Sequence, residues 1–372
     1  MMPTADLPVH FLTIVLNGEP FIRYHINILR TLPYRWHWHI VEGIADLSHD
    51  TGWALEYRGK VPTNFHHNGL SIDGTSEYLD KLASLFPENV TLYRPKPGEL
   101  WNGKKEMVNA PLASIREECL LWQLDVDEFW AMEQLIEGRE LFLRNPDRTA
   151  AWYNCHFYVG PQLVVTDSES RGHRLTENWL RTWRYKPGYR WLTHEPPVLT
   201  GPSNDGVSID IGRMNPFLSA ETEGYGLTFQ HKAYVLARQL QFKELYYGYQ
   251  GIVMNWLLLQ KQTVFPVQLK EFFPWPFVSE GTQVVPDHFV GIETIPLPEK
   301  RGDVLSTPRN MESLSRFLDQ LAVDVYPEKP SLMHAEITER ALEHLEKLSP
   351  LHAGMRVVDV GCGQGPALEY FR

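Results

Sequence analysis

The residues of this sequence that most clearly indicate a chemical function are carboxylates at the end of an apolar run. Residues 120–124 are typical of a buried strand, and Asp125, Asp127 and Glu128 follow at once. On extended backbone, Asp125 and Asp127 would leave by the same face. Two close carboxylates repel each other unless a cation lies between them or one holds a proton. The pair therefore favours a Mg²⁺ or Mn²⁺ site with free positions for phosphates, although so short a motif also arises by chance.

The segments before these carboxylates predict an α/β fold. Residues 9–16 and 36–41 are β-type apolar runs, and a helical pattern lies between them. This β-α-β start implies an open, mostly parallel sheet whose ligand crevice lies beyond the carboxyl ends of its strands. Asn17 and Glu42 follow the two strands and are expected at that crevice. A turn residue and an exposed acid are equally good interpretations of them.

Two lysines stand near the start of a later helix. Before them, a turn at Asp73 opens a helix predicted over 75–85, and a strand is predicted over 90–93. Lys104 and Lys105 then oppose the dipole of the helix that they precede, which is unfavourable unless an anion is close. Their position favours a bound anion near this helix.

Composition excludes several classes of protein. The 372 residues carry a net charge of −11, and no run of five basic residues occurs, which argues against nucleic acid or anionic membranes as partners. No stretch is long and apolar enough to predict a transmembrane helix, and no signal peptide is visible at the start. Cys119, Cys155 and Cys362 are widely spaced, which favours free thiols in a reducing compartment. These features predict a cytoplasmic protein.

The order of the motifs resembles a GT-A nucleotide-sugar glycosyltransferase, most similar to family 2. The resemblance rests on Asn-Gly-Glu-Pro-Phe-Ile after the first strand, then Ser-Ile-Asp-Gly-Thr, Gly-Lys-Lys-Glu-Met-Val-Asn and Leu-Asp-Val-Asp-Glu. It implies a mostly parallel central sheet with helices on both faces and a smaller antiparallel sheet on the acceptor side. It also implies transfer of a sugar from a UDP-, GDP- or dTDP-sugar to a glycan, a lipid-linked saccharide or another hydroxyl acceptor.

The resemblance assigns roles to particular residues. The nucleotide-sugar pocket would be lined by Asn17, Glu42, Asp73, Lys104, Lys105 and Asp125. Asp125 and Asp127 would hold Mn²⁺ or Mg²⁺, and His231 resembles a further metal ligand, with a packed structural histidine as the alternative.

An inverting transfer needs a group that takes the proton of the acceptor hydroxyl. Glu195 is the candidate base and His194 the reserve, because two prolines fix the backbone after them. A His and a Glu that close a surface turn are the alternative. The tryptophans at 179, 183 and 191 are predicted to line the acceptor groove.

The later segments complete the predicted organisation. A helix is predicted over 131–144, one long strand over 149–159 and a mostly buried helical region over 236–260. We assign 1–285 to the glycosyltransferase domain and 286–330 to a proline-rich tail or linker.

Residues 331–372 carry a second motif. A strand-like run leads into Gly361-Cys-Gly-Gln-Gly365, which resembles the first motif of class I S-adenosylmethionine-dependent methyltransferases. This implies the truncated start of such a domain, with S-adenosylmethionine bound only by a longer parent chain. Two alternative functions therefore stay open: methyl transfer by that parent, or a non-catalytic carbohydrate-binding or scaffold module.

Overall fold

The computed structural model of this chain describes residues 6–46, 63–167, 179–202, 208–273 and 281–298. The chain divides into two units, Met1–Lys300 and Arg301–Arg372, and every described residue belongs to the first. The predicted linker beyond residue 298 and the predicted methyltransferase segment 331–372 lie outside the described residues. Within the described ranges, no helix has both the length and the apolar character that a membrane span requires.

Strands and helices alternate along the first half of the chain. The strands are β1 (Val9–Val15), β2 (Trp36–Glu42), β3 (Val90–Tyr93), β4 (Cys119–Gln123), β5 (Glu128–Phe129), β6 (Ala150–Tyr153), β7 (Cys155–Gly160), β8 (Leu163–Asp167), β9 (Trp179–Tyr185), β10 (Arg190–Thr193), β11 (Val198–Pro202), β12 (Ser208–Asp210), β13 (Pro216–Phe217), β14 (Phe229–His231), β15 (Val267–Gln268) and β16 (Thr282–Pro286). The α-helices are α1 (Ile22–Leu29), α2 (Thr75–Leu85), α3 (Gly103–Asn109), α4 (Met132–Arg144), α5 (Ile211–Met214), α6 (Ser219–Gly224), α7 (Ala237–Tyr246) and α8 (Ile252–Gln260). Short 3₁₀ helices lie at Thr63–Phe65, Ala110–Ser114, Leu269–Glu271 and Asp287–Phe289.

The central sheet has seven strands in the order β13-β6-β9-β4-β1-β2-β3. Strands β4, β1, β2 and β3 are parallel neighbours, and β9 runs antiparallel between β4 and β6. All five residues of β4 are buried, as expected for an apolar strand in the middle of a parallel sheet. The mixed α/β fold with a large, mostly parallel sheet is therefore confirmed.

A second sheet has six strands in the order β15-β16-β8-β7-β14-β5 and is mostly antiparallel. A third, three-stranded sheet consists of β10, β11 and β12. The prediction of one long strand over 149–159 is wrong, because β6 belongs to the central sheet and β7 to the second sheet. Asn154 separates them, and its side chain donates a hydrogen bond to Glu223 at 2.8 Å. The chain changes sheets at this residue.

The helical region predicted over 236–260 consists of two helices. Gly251, with φ of 75°, precedes α8, and a left-handed backbone of this kind favours glycine. A glycine inside a helical pattern can signal such a break, but the sequence analysis did not use it.

The hydrophobic core next to the central sheet contains Trp183 and Trp191. Their ring centroids are 4.7 Å apart and both side chains are buried. The structure thus places these two tryptophans in the core rather than along a groove. Cys119 and Cys155 are buried and form no disulfide within the described part of the chain, as the sequence indicated.

The end of the first unit packs against the second sheet. Ile292, Ile295 and Leu297 contact the buried cluster that includes Phe129. Gln230 of β14 accepts a hydrogen bond from the Ile295 amide at 2.9 Å. These residues lie in the segment predicted as a proline-rich tail or linker, and they belong to the first unit.

Candidate active site

A large cavity of about 1100 Å³ opens at the carboxyl ends of the central strands. Residues that follow β1, β2 and β4 line it, as do one face of α7 and the segment after β10. Parallel α/β sheets generally bind ligands at this edge. The cavity brings together most of the residues that the sequence analysis selected.

Asp125 and Asp127 both lie in the cavity wall, in the turn that follows β4. Strand β4 ends at Gln123, and the Glu128 amide donates a hydrogen bond to the Asp125 carbonyl at 3.0 Å, which closes a turn. The expectation that both carboxylates share a face assumed extended backbone, whereas the backbone turns here. Asp125 Oδ2 lies 3.3 Å from Arg181 Nη2, and Asp127 Oδ1 lies 3.5 Å from His231 Nε2.

Asp127 pairs with His231, which is distant in sequence. Asp127 Oδ1 lies 3.5 Å from His231 Nε2, and Gln239 Nε2 donates to Asp127 Oδ2 at 3.3 Å. Burial would raise the pKa of Asp127, but His231 and Lys243 lower it to about 2. The buried Nδ1 of His231 has no hydrogen-bond partner among the described residues. The pair offers an ionised carboxylate and an imidazole to a cation.

Arg181 offsets the negative charge of the other two carboxylates of the turn, Glu128 and Asp125. Its guanidinium donates to both oxygens of the fully buried Glu128, at 2.8 and 3.0 Å from Nε, and also approaches Asp125. Burial would lower the pKa of Arg181, but these two carboxylates raise it. Asp125 also accepts hydrogen bonds from Gln123, at 3.2 Å to Oδ1. This arrangement ties Asp125 to the protein and leaves Asp127 as the carboxylate nearest to His231.

Helix α7 supplies cations that the sequence analysis assigned to the core. One face of it lines the cavity with Arg238, Gln239, Phe242, Lys243 and Tyr246. Within the described part of the chain, Lys243 forms no ion pair within 4.0 Å, and its ammonium lies 5.0 Å from the ring centroid of Tyr234. Arg238 Nη1 lies 3.6 Å from Asp73 Oδ2. The i, i+4 spacing of Gln239 and Lys243 was the available signal, but the aromatic stripe on this helix obscured it.

Lys104 and Lys105 have different environments. Lys104 is buried and donates hydrogen bonds to Glu195 Oε1 and Tyr247 Oη, both at 2.7 Å. Burial would lower the pKa of Lys104, but Glu195 holds it above its usual range. Lys105 is exposed and is absent from the cavity wall. Lys104 thus connects the segment after β10 with the end of α7.

Glu195 and His194 lie side by side in the cavity wall. Burial would raise the pKa of Glu195, but Lys104 and His194 lower it to about 2. His194 Nδ1 lies 3.7 Å from Glu195 Oε1, and burial lowers the pKa of this histidine. Neither nitrogen of His194 has a hydrogen-bond partner among the described residues.

Asn17 and Asp73 line the cavity and also shape it. Asn17, with φ of 55°, donates to the Phe65 carbonyl at 2.6 Å and accepts from the Ile72 amide at 2.9 Å. Asp73 accepts from the amides of Glu19 and Thr75. Both side chains fix loops at the mouth of the crevice.

Glu42 does not line the cavity. It is completely buried, accepts from the Ser71 amide at 3.2 Å and pairs with Arg94 at 2.7 Å. These contacts hold the loop before α2 in place.

Comparison with known proteins yields weak similarity to solved structures. No protein-family model matches the chain, and no curated protein matches it. The chain is similar to TarS 1–349 of S. aureus, with 12% identity and a TM-score of 0.31 over 48% of this chain and 47% of that one. It is similar to the mannosyltransferase PcManGT from Pyrobaculum calidifontis, in complex with GDP-Man and Mn²⁺, with 12% identity and a TM-score of 0.36 over 91% and 80% of the two chains. A second TarS structure matches with 11% identity and a TM-score of 0.32 over 92% and 53%.

The chain spans about half the length of the two TarS chains that it matches. Similarities at this level do not assign a function, and none of them supports the predicted methyltransferase segment.

Proposed function

We propose that this protein is a glycosyltransferase that uses a nucleotide sugar and a divalent cation. The main support is the composition of one cavity at the carboxyl ends of β1 and β4. Asp127 and His231 lie 3.5 Å apart there, and Arg238 and Lys243 line the same space. Anion-binding cations beside a cation-binding pair suit a diphosphate.

Asp127 and His231 are the residues that would hold Mn²⁺ or Mg²⁺. The carboxylate is a ligand type that suits Mn²⁺ and Mg²⁺, and the imidazole can complete such a site for a transition metal such as Mn²⁺. The described residues contain no group of three or more His, Cys, Asp or Glu that could hold a metal ion. A cation here would therefore take further ligands from diphosphate oxygens and water. When bound, it would supply Lewis-acid stabilisation of the leaving diphosphate.

The cations of α7 would bind the diphosphate directly. Lys243 lacks an ion-pair partner within the described ranges, so its charge is available to a phosphate oxygen. Arg238 is partly exposed and its position is set by Asp73. Gln239 donates to Asp127 and keeps that carboxylate oriented. Asn17 and Asp73 would contact the nucleoside from the loops that they fix.

The acceptor would occupy the part of the cavity next to Trp179. This is the one of the three predicted groove tryptophans that lines the cavity, with Phe157 and Trp152 also in the wall. Aromatic faces of this kind pack well against the apolar faces of sugar rings. For transfer with inversion, Glu195 and His194 are the two groups that could receive the acceptor's hydroxyl proton.

Nucleotide binding tests the proposal. Thermal unfolding is measured with UDP, GDP and dTDP, each with and without Mn²⁺. A ligand present at one hundred times its Kd stabilises the folded state by about 2.7 kcal/mol, so a clear rise in Tm is expected for one nucleotide. Absence of stabilisation by all three nucleotides with Mn²⁺ would contradict the proposal and favour a non-catalytic carbohydrate-binding module.

A further inference from the structure

His194 is a buried polar side chain whose hydrogen-bonding capacity is unused. The residue is 7% exposed, and both ring nitrogens lack a partner among the described residues. A buried donor or acceptor left unpaired costs about 1–3 kcal/mol. A ligand hydroxyl bound in the cavity would remove that cost.

His194 lies in the walls of two cavities. The large cavity and a second, small cavity of about 10 Å³ both have His194, Asp125 and Gln123 in their walls. The small cavity has room for about one water molecule. The imidazole thus has two available partners, which are a substrate hydroxyl in the large cavity and a water molecule in the small one.

Glu195 is the weaker of the two candidate bases. Its Oε1 already accepts a hydrogen bond from Lys104, whose ammonium is also held by Tyr247. Lys104 and His194 keep the pKa of Glu195 at about 2 despite burial, which makes it a poor proton acceptor near neutral pH. His194 Nε2, in contrast, accepts no hydrogen bond from the described residues and is open to a substrate hydroxyl.

We infer that His194 is the catalytic base of the proposed transfer and that Glu195 is a positioning residue for it. This inference rests on the proposed function. The hydroxyl proton of the acceptor passes to His194 Nε2 as the hydroxyl oxygen bonds to the anomeric carbon. The bond between that carbon and the diphosphate oxygen breaks, and its electron pair leaves with the diphosphate. Glu195 Oε1, 3.7 Å from Nδ1, stabilises the imidazolium that results.

The test uses the full chain and water as the acceptor. UDP-glucose, GDP-mannose and dTDP-glucose are screened with Mn²⁺ for binding, and nucleoside diphosphate release from the bound donor is followed in a single turnover with excess enzyme. His194→Gln keeps a polar side chain but removes the base. Its rate constant is expected to fall about 100-fold or more, while the Kd of the donor stays that of the wild type.

Chemical rescue separates a base from a structural residue. Added imidazole is expected to restore turnover by His194→Ala, and added formate is expected to leave Glu195→Ala inactive. A wild-type rate in His194→Gln would overturn the inference and assign His194 to a structural role beside a buried water. Rescue of Glu195→Ala by formate, with no effect of imidazole on His194→Ala, would overturn it too. If His194→Ala does not fold, the His194→Gln rate still decides the question.

The two proposals fail in different ways. A wild-type protein that binds none of the three donors contradicts the proposed function itself. A wild-type protein that binds a donor with Mn²⁺ but never cleaves it contradicts the base assignment, because water can reach the cavity and would be activated by a competent base.

Discussion

His231 Nε2 lies 3.5 Å from Asp127 Oδ1, and this contact joins the two larger sheets at the cavity. His231 ends β14 of the second sheet, whereas Asp127 lies in the turn that follows β4 of the central sheet. The Lys232 amide donates to the Asp127 carbonyl at 2.7 Å and fixes the backbones of the two segments together. The side chains are therefore held near each other before any ligand binds, which is the preorganisation that a metal–diphosphate site requires.

Asp127→Ala is expected to abolish sugar transfer and Mn²⁺-dependent nucleotide binding, because it removes the ionised ligand of the pair. Isothermal titration of the nucleotide with and without Mn²⁺ measures the effect. Asp80→Asn is the matched control, since that carboxylate is 60% exposed and pairs with Arg94 away from the cavity. Undiminished Mn²⁺-dependent turnover in Asp127→Ala would rule out this role for the residue.

Lys243→Met is expected to weaken binding of a nucleoside diphosphate about 10- to 100-fold, in line with about 1.5–3 kcal/mol for a hydrogen bond to a charged group. Binding of the corresponding nucleoside, which lacks phosphate, should not change. Lys261→Met, at the exposed end of α8, is the control. Equal losses for the nucleoside and the diphosphate would mean that the substitution distorts the cavity rather than removing a phosphate contact.

The sequence predicted those parts of the fold in which local pattern and tertiary context agree. The helix over 75–85 and the strand over 90–93 have these bounds in the structure, because a turn at Asp73 and a short apolar run define them locally. The single strand over 149–159 was wrong because nothing local marks the change of sheet at Asn154. Membership of a sheet depends on partners such as β9 and β14, which are distant in the chain.

The central pair of the candidate site could be predicted from the sequence, whereas several contacts around that pair could not. Asp127 and His231 were both selected from the sequence, and the structure brings them together. The ion pair of Asp125 with Arg181 was not predictable, because it depends on tertiary structure, as does the turn after Gln123. Lys243 was missed for a similar reason, since periodicity cannot show which face of a helix borders a cavity.

Lys104→Met is expected to destabilise the protein by about 2 kcal/mol, since it leaves Glu195 and Tyr247 without their shared partner. The free energy of unfolding should fall by less than it would for a fully buried pair. The Glu195 side chain is 32% exposed, so water can solvate its carboxylate once the lysine is gone. Urea unfolding provides the measurement, and the neighbouring exposed Lys105→Met provides the control. A double variant Lys104→Met/Glu195→Gln should recover part of the loss. Equal stability of the two single lysine variants would contradict the structural role of Lys104.

A histidine cluster on β1 and β2 should make the folded state sensitive to acid. His10 Nδ1 lies 2.9 Å from His39 Nε2, and the rings of His37 and His39 are 4.5 Å apart. Burial and the neighbouring histidines lower the pKa of His10 to about 4 and that of His39 to about 2. In the unfolded chain the pKa of each of these histidines would be about 6.5.

Because both folded pKa values are depressed, the unfolded chain binds more protons below about pH 6.5, and acid therefore favours unfolding. The free energy of unfolding should fall as the pH drops from about 6.5 towards about 4, by up to about 1.4 kcal/mol per pH unit for each histidine. Urea unfolding from about pH 7 to about pH 5 measures the slope. His10→Gln should reduce that slope, because it removes one group that the folded state keeps neutral. Identical slopes for the wild type and His10→Gln would show that other groups cause the acid sensitivity.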